Sequence, residues 1–124
     1  PDCEVFCIVG DGSWMFGQAL AVYEAMHQQQ APFFTLVLNN GKYAAIHEAI
    51  QGLLPGGWST RTATFPGCEL PRPGYYARVA EAAGLWSCCV LEGEQLPARL
   101  SAGLSRLRQG QGVLVEAWVS SPHL

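Results

Sequence analysis

The chain has 124 residues, of which 49% are apolar and 14% charged, with a formal net charge of −3. That is room for one hydrophobic core and little for two. Seven basic residues, scattered without a run, make a poor phosphodiester surface and argue against nucleic-acid binding; no stretch approaches the roughly 18 to 20 apolar residues of a membrane span.

The chain opens on Pro1-Asp2, with no initiator Met and no basic region of a signal peptide. Residues 5–9 (VFCIV) then read at once as a core strand. The expectation is a piece of a longer polypeptide, the alternative being a small protein with a trimmed start. Phe16, Ala19, Leu20, Tyr23 and Met26 follow the i, i+3, i+4, i+7 rhythm of a helix, with the polar "QQQ" at 28–30 as its end. Residues 33–38 form a second apolar run. A second helical rhythm joins Tyr43, Ile46, Ile50 and Leu53. Residues 54–73 hold five glycines or prolines before the final "PRPG" and no clean period, which predicts a long loop able to act as a lid or binding segment. A short helix is expected over 75–83 and a strand over 86–91. Leu96, Leu100, Leu104 and Leu107 mark a helix, with Pro97 tolerable in its first turn. Residues 112–119 form the last strand.

All four apolar runs are nearly continuous, the pattern of strands buried on both faces. Alternation of strands and helices predicts an α/β fold with a parallel sheet flanked by helices. The cysteines at 3, 7, 68, 88 and 89 are odd in number and lack a CxxC pair, which argues against a disulfide framework or a zinc site. A reducing, cytoplasmic compartment fits them.

Two turns carry the chemistry. Gly10-Asp11-Gly12 ends the first strand, and Asn39-Asn40-Gly41 ends the second. In a parallel α/β sheet, ligands bind beyond the carboxyl ends of the strands. If these strands are neighbours, Asp11 and Asn40 face one crevice. Asp11 supplies a charged oxygen, Asn40 a neutral one, and the glycines allow close backbone approach. Ser13 and the helix start offer N–H groups and a positive dipole end. Oxygen ligands beside an anion-binding helix start suit a hard divalent cation held with a diphosphate, and magnesium takes few protein ligands. Either turn alone is a common structural element. Their pairing is more specific: 26 residues lie between Gly12 and Asn39, enough for one helix and one returning strand.

On these residues the chain resembles the C-terminal, thiamine-diphosphate-binding domain of the acetolactate synthase, benzoylformate decarboxylase and pyruvate decarboxylase group. "GDGSWMF", "LVLNNGKY", the Tyr-Tyr-Ala…Ala-Glu-Ala-Ala-Gly stretch at 75–84 and "GVLVEAWVSSP" at 112–122 carry the likeness. The resemblance implies a thiamine-diphosphate-binding fold, a partial domain over residues 1–124, and thiamine diphosphate and Mg2+ as cofactors. It implies Asp11, Asn40 and the backbone carbonyl of Lys42 as metal ligands. Gly10, Gly12, Ser13, Gly41 and Tyr43 would join them around the diphosphate. Lys42 departs from the small residue often found at that place; a carbonyl ligand tolerates this, and the amine can reinforce the phosphates or point to water, water being the preferred reading. It implies a 2-oxo acid substrate, carboligation or decarboxylation, and a homodimer or homotetramer completed by the rest of the polypeptide. The glutamate that activates the cofactor is expected outside these residues, so this stretch alone should be inactive.

His47 and Glu48, on the helix after the asparagines, are candidates for proton transfer; such a pair is also what a solvated helix face presents. His27 reads as an exposed helix-end residue, and His123 lies in the tail. Trp58, Arg61 and Phe65 can close over substrate or pack against another domain. Two rival readings stand beside the enzyme: a non-catalytic module that keeps the fold and the metal site, and a structural α/β domain whose turns coincide.

Overall fold

The structure is a computed structural model that describes residues 3–120. His123 lies outside the described residues. Strand β1 (Phe6–Gly10) leads directly into helix α1 (Asp11–Phe16), followed by α2 (Ala19–Gln28), β2 (Phe34–Asn39), α3 (Ala44–Leu53), α4 (Trp58–Thr62) and α5 (Tyr75–Ala82). Strand β3 (Trp86–Val90), a single 3-10 turn, α6 (Leu96–Arg108) and β4 (Val113–Trp118) complete the order. The strands form one parallel four-stranded sheet in the order β1-β2-β4-β3. The fold is therefore the expected α/β arrangement, and β1 and β2 are neighbours.

The sheet alternates its side chains between two helical layers, as the pleat dictates. On one face Val37 and Leu114 pack with Trp14, Tyr23, Met26, Tyr76 and Ala80 from α1, α2 and α5. On the other, Phe34, Val113 and Val115 pack with Leu107, and Leu100 and Leu104 of α6 close over them. Each fully buried side chain of this size contributes about 1.5–3 kcal/mol. The continuous apolar run of β4 follows from its central place, with both faces covered. All five cysteines are free thiols. Burial pushes the thiols of Cys88 and Cys89 above their ordinary value.

Five expectations need correction. First, β1 is not buried on both faces: it is an edge strand, and Phe6 and Ile8 are 53% and 68% exposed because α6 lies over β2, β4 and β3 instead. Second, the rhythm from Phe16 to Met26 does not belong to one helix: a first helix, Asp11–Phe16, ends at Gly17-Gln18, where Gln18 turns left-handed (φ 50°), and a second begins at Ala19. Third, α3 buries none of its residues: Ile46 and Leu53 of its apolar rhythm are 46% and 81% exposed. Fourth, the stretch 54–73 is not wholly irregular. It holds α4, steadied by Thr60 Oγ1 on the Leu54 carbonyl and Thr62 Oγ1 on the Trp58 carbonyl. Fifth, His27 is not merely exposed: its Nε2 lies 2.8 Å from the Ala83 carbonyl and ties the end of α2 to the end of α5.

Candidate functional site

The carboxyl ends of β1 and β2 lie side by side, with Gly10 in register with Leu38. Asp11 is the first residue of α1 and is buried. Its Oδ2 accepts the backbone N–H groups of Asn40 (3.2 Å) and Gly41 (2.9 Å), and its Oδ1 accepts that of Gly12 (2.9 Å). One carboxylate thus fastens the two turns together. The only ion pair among the described residues is Arg108–Glu4, so no cationic side chain pairs with Asp11. Three backbone N–H groups offset part of the cost of burying this carboxylate, and a cation beside it would offset more.

The turn after β2 is shaped by its own bonds. Gly41 takes φ +73°, a left-handed conformation that favours glycine, and a Cβ there would come within 3.1 Å of the Trp118 ring. Asn40 Oδ1 accepts the Lys42 N–H at 3.1 Å. The Lys42 carbonyl accepts the Ala44 N–H at 2.9 Å across Tyr43, whose φ −74° and ψ 73° make an inverse γ-turn. Each of these oxygens uses one lone pair and keeps another. The Tyr43 ring lies over Gly12, where a Cβ would be only 2.7 Å from it. Ser13, in the first turn of α1, is exposed. Asp11, Gly12, Asn40, Gly41, Lys42 and Tyr43 are therefore assembled in one place, joined by hydrogen bonds or direct packing. No group of three or more His, Cys, Asp or Glu side chains converges among the described residues. The donors gathered here are a carboxylate, an amide oxygen and a main-chain carbonyl, a set suited to a hard cation.

The segment before α5 latches onto this turn. Leu70 N–H bonds to the Gly41 carbonyl (2.8 Å) and Tyr43 N–H to the Cys68 carbonyl (2.8 Å), around an antiparallel bridge between Lys42 and Glu69. Between the two opens a cleft of about 820 Å³, lined in part by Asn40, Lys42, His47, Glu48, Arg72 and Trp118. His47 and Glu48 thus share a wall with the turn. Glu48 is exposed, and the His47 ring rests 3.8 Å, centroid to centroid, from buried Phe65. Trp58 is 59% exposed and Arg61 is exposed, so of the loop trio Phe65 alone is packed.

Sequence reasoning missed two residues. Asn39 and Glu116 are both fully buried and bonded to each other, Asn39 Nδ2 donating to Glu116 Oε1 at 2.8 Å. The signal was present in each case: an asparagine left unexplained beside Asn40, and a lone acid inside the apolar run VLVEAWV.

Comparison with known proteins bears on the whole chain. A search of curated protein sequences finds no match. A solved structure of Rhodococcus jostii RHA1 thiamine diphosphate-dependent 4-hydroxybenzoylformate decarboxylase superposes with a TM-score of 0.71 over 97% of this chain, at 23% identity. The match takes up 20% of that protein's chain, and at this identity it establishes the fold. Among the described residues, no helix is long and apolar enough to cross a membrane. Residues 1–117 match the model of the thiamine pyrophosphate enzyme C-terminal TPP-binding domain, and to that family this chain belongs.

Proposed function

We propose that this domain anchors the diphosphate of thiamine diphosphate through Mg2+ in an enzyme acting on 2-oxo acids, as a carboligase or a decarboxylase. The observation that carries the reading is the Asp11 carboxylate, which is buried, lacks a side-chain cation and gathers the amides of Asn40 and Gly41. Asp11, the Asn40 side-chain oxygen and the Lys42 carbonyl hold the ion. Gly10, Gly12, Ser13, Gly41 and Tyr43 shape the space for the diphosphate. When bound, the cofactor supplies the electron sink that allows a 2-oxo acid to lose or transfer its carbon fragment. These residues bind and orient; the acid that activates the cofactor is contributed by another part of the protein. The exposed apolar residues of β1 and α3 support burial against the rest of the polypeptide or a second subunit, in a homodimer or homotetramer. The free thiols support a cytoplasmic setting.

Calorimetric titration of thiamine diphosphate into the full-length enzyme, with Mg2+ and with EDTA, tests this reading. Binding should require the metal. Asp11→Asn should weaken it by more than about 100-fold, beyond the 10–100-fold range of residues that only support ligands. Asn40→Ala, which otherwise costs one bond to Lys42 N–H, should weaken it as well. Metal-independent binding, or full affinity in the Asp11 variant, would refute the proposal.

A further inference from the structure

Glu116 sits in the middle of β4, fully buried, in a strand otherwise filled by apolar residues and Trp118. Its Oε1 accepts Asn39 Nδ2 (2.8 Å) and the Gly74 N–H (2.8 Å), and its Oε2 accepts the Ala77 N–H (3.0 Å). All three partners are donors, so both oxygens of Glu116 serve as acceptors here. Asn39, on β2 between β1 and β4, passes the constraint on. With its Nδ2 directed at Glu116, its Oδ1 is left to accept the Gly41 N–H at 2.8 Å. That same N–H also reaches Asp11 Oδ2 at 2.9 Å. Asp11 directly, and Glu116 through Asn39, therefore act on one backbone amide from opposite sides of β2.

The consequence is orientational. An amide side chain can turn either end toward a neighbour; here Glu116 Oε1 at 2.8 Å, with the Pro71 carbonyl at 3.4 Å, holds the NH2 end of Asn39 on its side. Were Asn39 reversed, its Nδ2 would face the Gly41 N–H, donor against donor, and its Oδ1 would face a carboxylate. We propose that Glu116 is a positioning residue for the cofactor-anchoring turn: through Asn39 it fixes Gly41, and so presents the Asn40 side chain and the Lys42 carbonyl to the cation. The inference rests on the reading of this site as a magnesium and diphosphate anchor. A cap for α5 alone would need only the bonds to Gly74 and Ala77; the third bond, to Asn39, is what ties Glu116 to the site.

The test uses the full-length enzyme with two readouts: Mg2+-dependent affinity for thiamine diphosphate by calorimetry, and amide hydrogen exchange of residues 39–44 in the cofactor-free protein. Glu116→Gln should weaken binding about 10-fold, the lower end for a residue supporting a ligand, and should speed exchange at Gly41. Asn39→Asp, which sets carboxylate against carboxylate, should do the same. Combining the two restores a donor–acceptor pair with the amide on the other partner, at the expense of the bond from the Gly74 N–H, so the double variant should bind more tightly than Asn39→Asp alone. A role confined to capping α5 would lower the melting temperature and leave affinity, exchange at Gly41 and this rescue unchanged. Should Glu116→Gln fail to fold, Asn39→Ala cuts the link while sparing the bonds to Gly74 and Ala77, and carries the same 10-fold expectation. Unchanged affinity in the folded variants, with a wild type that binds normally, would overturn this inference alone. A wild type that binds without metal dependence would overturn both it and the reading of the site.

Discussion

Tyr76 shows at the level of a single side chain how closely the core approaches the charged site. It is fully buried, its ring stands edge-on to Trp14 with centroids 4.9 Å apart, and its hydroxyl has no hydrogen-bond partner. Burial raises its pKa above the ordinary 10.0, and the charges of Asp11 and Glu116 push it further. Below about pH 10 the phenol is neutral whether the chain is folded or not. Above it, the unfolded chain ionises and the folded one does not, so stability falls as pH climbs from there toward the raised value. Tyr76→Phe should gain about 1 kcal/mol at pH 7, because an unpaired buried hydroxyl costs about 1–3 kcal/mol. It should also flatten the alkaline decline. The flattening is partial, since burial raises Tyr23 too. Thermal melts from pH 7 to 11 decide it, and a variant less stable than wild type at pH 7 would count against this account. At this scale the sequence revealed Asp11 and Asn40, because glycine-flanked polar residues at strand ends stand out in a string. Glu116 could not be placed that way: its three donors come from β2, from the residue before α5 and from α5 itself, and no local pattern joins them.

Among the elements, α6 meets the sheet through a glycine. A Cβ at Gly103 would lie 2.6 Å from Phe34 Cε2 and 2.9 Å from Val113 Cγ1, and both of those side chains are locked in the core. Helix propensity favours alanine over glycine by about 1 kcal/mol; overpacking a tight core costs about 1–3 kcal/mol. With aromatic and β-branched side chains held on every side, overpacking should win. Gly103→Ala should therefore lower stability in urea unfolding by about 1 kcal/mol or more. Gly52, near the end of α3, has nothing within 4 Å of a built Cβ. Gly52→Ala should therefore be neutral or stabilising by a few tenths of a kcal/mol up to about 1 kcal/mol. Equal effects at the two sites would contradict the packing argument. The four strands were legible to within a residue at either end, since their apolar runs are bounded by polar or glycine-rich turns. The break between α1 and α2 was not, because it depends on one glutamine turning left-handed. Nor was α4, whose five residues are too few to show a period and are held by two threonine hydroxyls.

Across the whole molecule, the two sides of the sheet are covered unequally. β4 is sheathed above and below, whereas β1 offers a free edge with Phe6 and Ile8 turned outward beside Leu36, Leu100 and Leu104. The composition could not reveal this asymmetry. Continuous apolar strands look alike in a string, and only the sheet order tells which of them is an edge. An exposed apolar edge strand pairs readily with another chain, and a lysine placed on it is an effective deterrent. The 124-residue chain prepared by itself should consequently elute ahead of a monomer in gel filtration and enhance the fluorescence of an apolar dye. Ile8→Lys should move it toward the monomer and lower the dye signal. Ile8 contributes no atom to the bonds around Asp11, so that variant should leave the two turns fastened as before. On the proposed function the same preparation should turn over no 2-oxo acid, because that reading assigns the acid that activates the cofactor to another part of the protein. Monomeric elution without dye binding would show that the edge protects itself. Turnover by the isolated chain would place the activating group within these residues, where His47 and Glu48 on the cleft wall would be the first to replace.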